Sequence, residues 1–347
     1  MLFKKAAVFA DLHLGKRSDS PVHNQDCYDF AVWFCDQAKK ANVDAIIMLG
    51  DWFDNRSRIR LDTLAMGNKI MRMLREVAPV HMFTGNHDMF HRDNRSITSI
   101  DGYDEWENVH VYNDPTVVKG VGFVPYLVGT EYVDVMHMEA KYLFGHFELP
   151  TFLMNSTVEM PDKGQFNSDG FTNPDYVFTG HFHQRQVKVN TSKIPVWYIG
   201  SPFGHDFNDV NDKSRGMMLL EWDGEPEFID YPDGPLYQRF KISEIMDLME
   251  QGSLENLVRP TSVLEIKDDV GIELEDISLI RQELNTIVRE TRVVQRSSAV
   301  LEGSDVEIED IDSKSLDDVI AEHLSKIVVM DDSIDPDYLI KLYKGDE

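Results

Sequence analysis

Ala45-Ile46-Ile47-Met48-Leu49-Gly50-Asp51-Trp52-Phe53-Asp54 decides the reading of this chain. Five consecutive apolar residues, unbroken and too short for a helix, predict a buried strand. Gly50 ends the run and Asp51 follows at once. The same order recurs along the chain. Asp11-Leu12-His13 closes the run Ala6–Ala10, and Gly85-Asn86-His87-Asp88 follows Val80–Phe83. Gly145-His146 belongs to the run 141–147, and Gly180-His181-Phe182-His183 follows 176–179. Singly, each piece is ordinary: Asp and Asn after Gly are common turn residues, and most His residues are simply hydrogen-bonded. Together they gather carboxylates, an amide and imidazoles at strand ends.

Working outward, helical periodicity fills the gaps between the first strands. Tyr28, Ala31, Val32, Cys35 and Ala38 predict a helix over His23 to Ala41, and Leu61, Leu64, Met71 and Leu74 predict another over Leu61 to Val77. Apolar runs without helical length follow at 109–112, 117–128, 141–147, 176–179, 196–199 and 217–222. Alternation first and strands afterwards predict an α/β sandwich with two mixed β-sheets, occupying residues 1–232. The turn cluster Tyr231-Pro232-Asp233-Gly234-Pro235 breaks the pattern. A small α+β capping domain is expected over 236–296, with a strand at Thr261–Ile266 and a helix at Ile277 to Val288. An acidic linker is expected over 297–314. Residues 315–347 read as C-terminal helices, with Ser315 as a cap and Asp335-Pro336 as a second helix start. Their apolar stripe either folds back on the body or docks on a partner.

Composition sets limits. The 347 residues carry a net charge of −27, from 61 acidic against 34 basic side chains. Nucleic-acid binding normally draws on phosphate neutralisation, so this balance argues against an autonomous DNA binder unless metals, local basic patches or a partner supply positive charge. There is no apolar run of membrane-spanning length, so no membrane attachment is expected. The basic, then apolar N-terminus reads as a first strand rather than a signal peptide, because the run is short and stops at Asp11. Cys27 and Cys35 fall on one expected helix, too far apart along it for a disulfide. They predict reduced thiols and a cytoplasmic location.

Hard divalent cations take oxygen ligands, and imidazole adds affinity for Mn²⁺, Fe²⁺ or Zn²⁺. Two ions roughly 3.5–4 Å apart need one bridging group. Asp51, placed after a strand and a Gly, is the natural bridge. Asp11 and His13 can converge on one ion, His181 and His183 share the same spacing, Asn86 offers an amide oxygen and His146 another imidazole. Such a centre suits phosphate-ester cleavage. Among the other histidines, His81 and His110 read as core or surface, and His23, His137 and His323 as surface or capping residues. His91 and His205 are weaker candidates for the rim of the site. Met66, Met71 and Met73 share one helix and read as packing residues.

These motifs resemble the calcineurin-like metallophosphoesterase superfamily and, within it, the SbcD-type DNA repair and recombination nuclease, phage versions included. Tyr198-Ile199-Gly200-Ser201-Pro202 and Ser214-Arg215-Gly216 are similar to that family's late strand and turn. The resemblance implies a four-layer α/β/β/α sandwich. It implies that Asp11, His13, Asp51 and His183 hold one ion, and that Asp51, Asn86, His146 and His181 hold the other, with Mn²⁺ the expected metal and Mg²⁺, Fe²⁺ or Zn²⁺ alternatives. His87 becomes the catalytic imidazole, oriented by Asp88, and Asp54 a supporting carboxylate. The resemblance further implies a homodimer through 61–77 and 95–106, and C-terminal helices that bind an SbcC-type coiled-coil ABC ATPase. Arg56, Arg58, Arg60, Arg92 and Arg95 follow the second and third motifs and are candidates for contact with a DNA backbone. The implied activity is exonuclease and single-strand endonuclease cleavage. The alternatives are a phosphatase or cyclic-nucleotide phosphodiesterase on the same metals, or an inactive regulatory partner of the ATPase. Phosphoprotein phosphatases usually carry Arg-Gly after the second motif and Glu after Gly-Asn-His. Asn55-Arg56 and Asp88 disfavour them here.

Overall fold

The computed structural model describes residues 1–162, 164 and 166–294. The expected acidic linker and C-terminal helices, His323 among them, lie outside the described residues. Four parallel strands open the fold: β1 Lys5–Phe9, β2 Ala45–Met48, β3 Val80–Phe83 and β4 Val109–Tyr112. A second sheet follows from β5 Thr116–Val118, β6 Val121–Val124, β7 Tyr142–His146, β8 Tyr176–Gly180, β9 Gln186–Val189 and β10 Pro195–Tyr198. The chain then returns to the first sheet through β11 Gly216–Glu221 and β12 Pro226–Asp230. The strand orders are β12-β11-β1-β2-β3-β4 and β5-β6-β7-β8-β10-β9. Each sheet is mixed: β11 runs antiparallel to β1, and β5 and β9 run antiparallel to β6 and β10.

Side-chain alternation sorts each strand between two cores. Ala7, Phe9, Ile46, Met48, Val80 and Met82 meet the helices α1 Pro21–Lys40 and α2 Leu61–Val77. Ala6, Val8, Ala45, Ile47 and Phe83 face the second sheet through Phe123, Phe144 and Phe178. Helix α1 begins with Pro21 in its first turn and the Ser20 hydroxyl accepting from the His23 amide at 3.4 Å. Phe30 and Phe34, buried on its inner face, each contribute about 1.5–3 kcal/mol by leaving water. Over the far face of the second sheet, Phe147, Leu149, Phe152 and Phe171 close a third core beside the short helical segment Tyr132–Met136. This outer layer is largely loop.

Beyond the Tyr231–Pro235 turn stands a parallel three-stranded sheet, β13 Leu236–Lys241, β14 Ser262–Lys267 and β15 Glu290–Val294. Helices α3 Ile242–Glu250 and α4 Leu274–Leu284 accompany it. A bidentate pair from Arg289 to Asp26, at 2.7 and 2.8 Å, joins it to α1. The helix expected at Ile277 to Val288 therefore starts and ends earlier. The run 117–128 divides into β5 and β6 around Lys119 and Gly120, both with positive φ. Strands β9 and β12 escape an apolar-run reading because they lie at sheet edges, where exposed residues interrupt the pattern. Among the described residues, no helix is long and apolar enough to cross a membrane, and both cysteines are free and buried.

Candidate metal centre

The five motifs leave the carboxyl ends of strands in both sheets and meet where the sheets adjoin. Asp11 and His13 follow β1, Asp51 follows β2, Asn86 follows β3, His146 ends β7, and His181 and His183 follow β8. Asp11, His13, Asp51 and His181 all have left-handed backbone, with φ of 54, 51, 58 and 91°. Each such residue costs on the order of 1–3 kcal/mol unless its surroundings enforce it. Here a ladder between the first two loops does so: the amides of Asp11, His13 and Leu14 donate to the carbonyls of Gly50, Asp51 and Trp52 at 3.0–3.1 Å. The His181 amide donates to Asp11 Oδ1 at 3.0 Å, and the His87 amide to Asp51 Oδ1 at 2.8 Å.

One group of ligand atoms surrounds Asp51 Oδ2 and Asn86 Oδ1. His146 Nε2 lies 3.4 Å from the former and 3.0 Å from the latter, and His181 Nδ1 lies 2.8 Å from Asn86 Oδ1. The Leu49 carbonyl accepts from His146 Nδ1 at 2.7 Å, so that in the neutral ring the Nε2 lone pair would face the site. A second group forms on the other side of Asp51. His13 Nε2 is 3.5 Å from Asp51 Oδ2 and 3.2 Å from His183 Nε2. Asp11 Oδ2 is buried here without a hydrogen-bond partner. His13 Nδ1 faces Asp54 Oδ1 at 3.1 Å, so Asp54 backs an imidazole that could hold an ion through Nε2. Converging lone pairs and an orphaned carboxylate oxygen are what a pair of divalent cations would satisfy, so the residues fit the two implied ions.

The electrostatics follow from burial. Desolvation pushes Asp11 up and holds His13 down at about 3. Asp51 goes the other way: burial opposes its charge, but His146, His13 and His87 hold it well below the usual carboxylate range. His146 is raised to about 9, burial being outweighed by Asp51 and Asp11.

Several expectations need correcting. Asp88 does not orient His87. Its buried carboxylate accepts from the amides of Trp52, Phe53 and Gly85 at 3.1–3.2 Å and from Ser99 Oγ at 2.9 Å. It clamps the second motif to the third, and burial, then Asp51, raises it to about 6. The partner of His87 is instead the Asp54 carbonyl, which accepts from Nδ1 at 2.7 Å. Arg95 is not free for a DNA backbone: its guanidinium, 5% exposed, pairs with both Glu131 oxygens and the carbonyls of Asn113 and Tyr126. Arg60 pairs with Asp62 at the surface, while Arg58, Arg92 and His91 are exposed and Arg56 is half-buried. His23 is neither a surface nor a capping residue. It is buried, and its Nε2 donates to the His13 carbonyl at 3.0 Å.

Three residues beyond the motifs complete the surroundings. His205 is fully buried beside His13 and His183. Asp209 accepts from the His205 amide at 2.8 Å and lies 3.9 Å from His183 Nδ1. Arg215 binds Asp209 at 3.0 Å and the His183 carbonyl at 3.0 Å. The Gly-rich turn before His205 pointed weakly to it, but no spacing pointed to Asp209.

Residues 4–185 match the model of the calcineurin-like phosphoesterase family. The chain belongs to that family. The family is one of phosphoester hydrolases, and its fold implies divalent metal ions. A viral phosphoesterase, 078R of Invertebrate iridescent virus 3, is 23% identical over 198 residues, 51% of this chain and 53% of the relative. The DNA double-strand break repair protein Mre11 of Methanosarcina acetivorans is 24% identical over 236 residues, 62% of this chain and 36% of the relative. The chain therefore spans about half and about a third of the length of these curated relatives. A dimetal phosphatase from Danio rerio matches in structure with a TM-score of 0.39 and 12% identity, over 62% of this chain and 92% of its own.

Proposed function

We propose that this chain is an SbcD-type DNA nuclease, whose phosphodiester cleavage would draw on two ions held on either side of Asp51. The observation that carries the reading is the division of labour at the site. Two groups of ligand atoms meet on Asp51, and His87, left over from both, has its ring 4.7 Å from that of His13. Asp11, His13, Asp51 and His183 would hold one ion, and Asp51, Asn86, His146 and His181 the other. When bound, the ions supply positive charge against phosphate oxygens and lower the pKa of a water. The Asp54 carbonyl keeps a proton on His87 Nδ1, so Nε2 is the nitrogen that exchanges one with the departing sugar oxygen. The likeness to a DNA-repair relative, and Asp88 in place of the phosphoprotein-phosphatase Glu, support a nucleic-acid substrate.

Mn²⁺ is the proposed ion. The free, buried cysteines suit a reducing cytoplasm. Arg56, Arg58 and Arg92 are proposed backbone contacts, and the 236–296 module a capping domain. Leu61, 84% exposed at the start of α2, and the exposed Phe90 and Ile97 suit a homodimer face. Residues 315–347 are proposed to dock on a coiled-coil ABC ATPase that brings the positive surface this acidic chain lacks. The test is a Mn²⁺-dependent assay offering plasmid DNA and p-nitrophenyl phosphate mono- and diesters in parallel. DNA degradation is expected. Monoester hydrolysis with intact DNA would replace the nuclease by a phosphatase, and inertness toward every substrate by a regulatory partner.

A further inference from the structure

His205 has no partner for either ring nitrogen, although its side chain is fully buried. Leaving such a group unpaired costs on the order of 1–3 kcal/mol. Its neighbours explain where it points. The ring lies 5.2 Å from that of His13 at 87° and 4.8 Å from that of His183 at 63°. One nitrogen from each of the three imidazoles falls within a common 4.8 Å. The backbone on both sides of the ring is tied down, since the amide donates to Asp209 and the carbonyl accepts from Arg17. His23, 5.4 Å away, has no such freedom, because its Nε2 proton is given to the His13 carbonyl.

We infer that His205 is a third imidazole for the first ion, beside His13 and His183. The inference rests on the two-ion reading above and adds an asymmetry to it. His13 belongs both to this trio and to the group it forms with Asp11 and Asp51, so with His205 the first ion would have three imidazoles beside those two carboxylates. The second would have two imidazoles, one amide oxygen and Asp51. Nitrogen-rich ligand sets favour borderline ions such as Zn²⁺, Co²⁺ and Fe²⁺ over Mg²⁺. The first position is therefore the tighter and more selective one, and the second exchanges more freely and accepts Mn²⁺ or Mg²⁺.

Position 205 can be probed directly in the metal-free full chain by titration with Co²⁺ and Mn²⁺, following heat and absorbance. Native protein should take up two ions with unequal affinity. His205→Phe should still take two, but with the tighter Co²⁺ affinity reduced by roughly tenfold or more, the scale seen when a metal site loses a supporting group, and with Mn²⁺ affected less. His205→Cys should give a thiolate-to-cobalt charge-transfer absorption that native protein, with Cys27 and Cys35 buried on α1, does not show. Should His205→Phe fail to fold, as judged by circular dichroism, His205→Cys decides alone. Unchanged Co²⁺ affinity in the Phe variant, or two bound ions without the new absorption in the Cys variant, overturns the inference. The two readings fail separately. An Asp51→Ala protein that keeps two tight ions overturns the shared-carboxylate centre, while the charge-transfer signal would still place residue 205 on an ion.

Discussion

His87 and the proposed metal ligands are distinguished by what their rings approach. The imidazoles proposed as ligands each bring a ring nitrogen to 2.8–3.5 Å from another proposed ligand atom, whereas the His87 ring is tied to the Asp54 carbonyl and its backbone amide, not its ring, donates to Asp51. His87→Ala is therefore expected to keep two ions by elemental analysis while losing at least about a hundredfold in turnover; full activity would end its assignment. Asp51→Ala should lose both ions and all activity. Asp209 makes a pH prediction. Burial opposes its charge, but Arg215 and then His183 hold its carboxyl below the ordinary range. The folded state then binds fewer protons than the unfolded one, so this contribution is present at neutral pH and is lost as pH falls below about 4. Native protein should melt well above Asp209→Asn near pH 7, and the gap should begin to narrow only below about pH 4 and shrink steadily on further acidification. A gap independent of pH would show that the carboxylate's charge contributes nothing.

Strands β1, β2, β3, β7 and β8 were legible because buried parallel strands read as unbroken apolar runs, and the convergence of the residues after them was legible because few roles other than metal binding gather Asp, Asn and His at strand ends. What was not legible lies in the loops. The left-handed backbone of Asp11, His13 and Asp51 has no signature in residue type, and the Asp54 carbonyl that holds His87 is present in every amino acid. Asp88 looked like a partner for its neighbour, yet three amides and a hydroxyl claim it first. Nothing in the local pattern separates Arg95 from Arg92, since only the fold brings Glu131 alongside one of them. Gly85 tests how tightly the second and third loops interlock. A Cβ there would strike the Asp51 carboxylate and amide. Gly85→Ala should destabilise the protein by about 1–3 kcal/mol in denaturant melts and strip metal from both positions. A variant with native stability and metal content would mean the loops have slack.

At the scale of the whole molecule, the proposed ligands are divided between the sheets. The first sheet supplies Asp11, His13, Asp51 and Asn86, and the second supplies His146, His181 and His183. With the exception of β11 and β12, the first sheet comes from residues before 113 and the second from residues 116–198. The ions would then act as rivets between two halves that are nearly separate stretches of chain. Bound only by the folded form, they stabilise it by mass action, about 2.7 kcal/mol at a hundredfold excess over the dissociation constant. Chelation should lower the melting temperature, and saturating Mn²⁺ should restore it; a melting temperature indifferent to chelator would remove the rivet. Hydrogen exchange should show the loss at the carboxyl ends of β2, β3, β7 and β8 together, while the aromatic layer between the sheets stays protected. Opening of the active end and loosening of the sheet seam would thus be one event, and metal supply would set how long a newly made chain stays vulnerable to proteases.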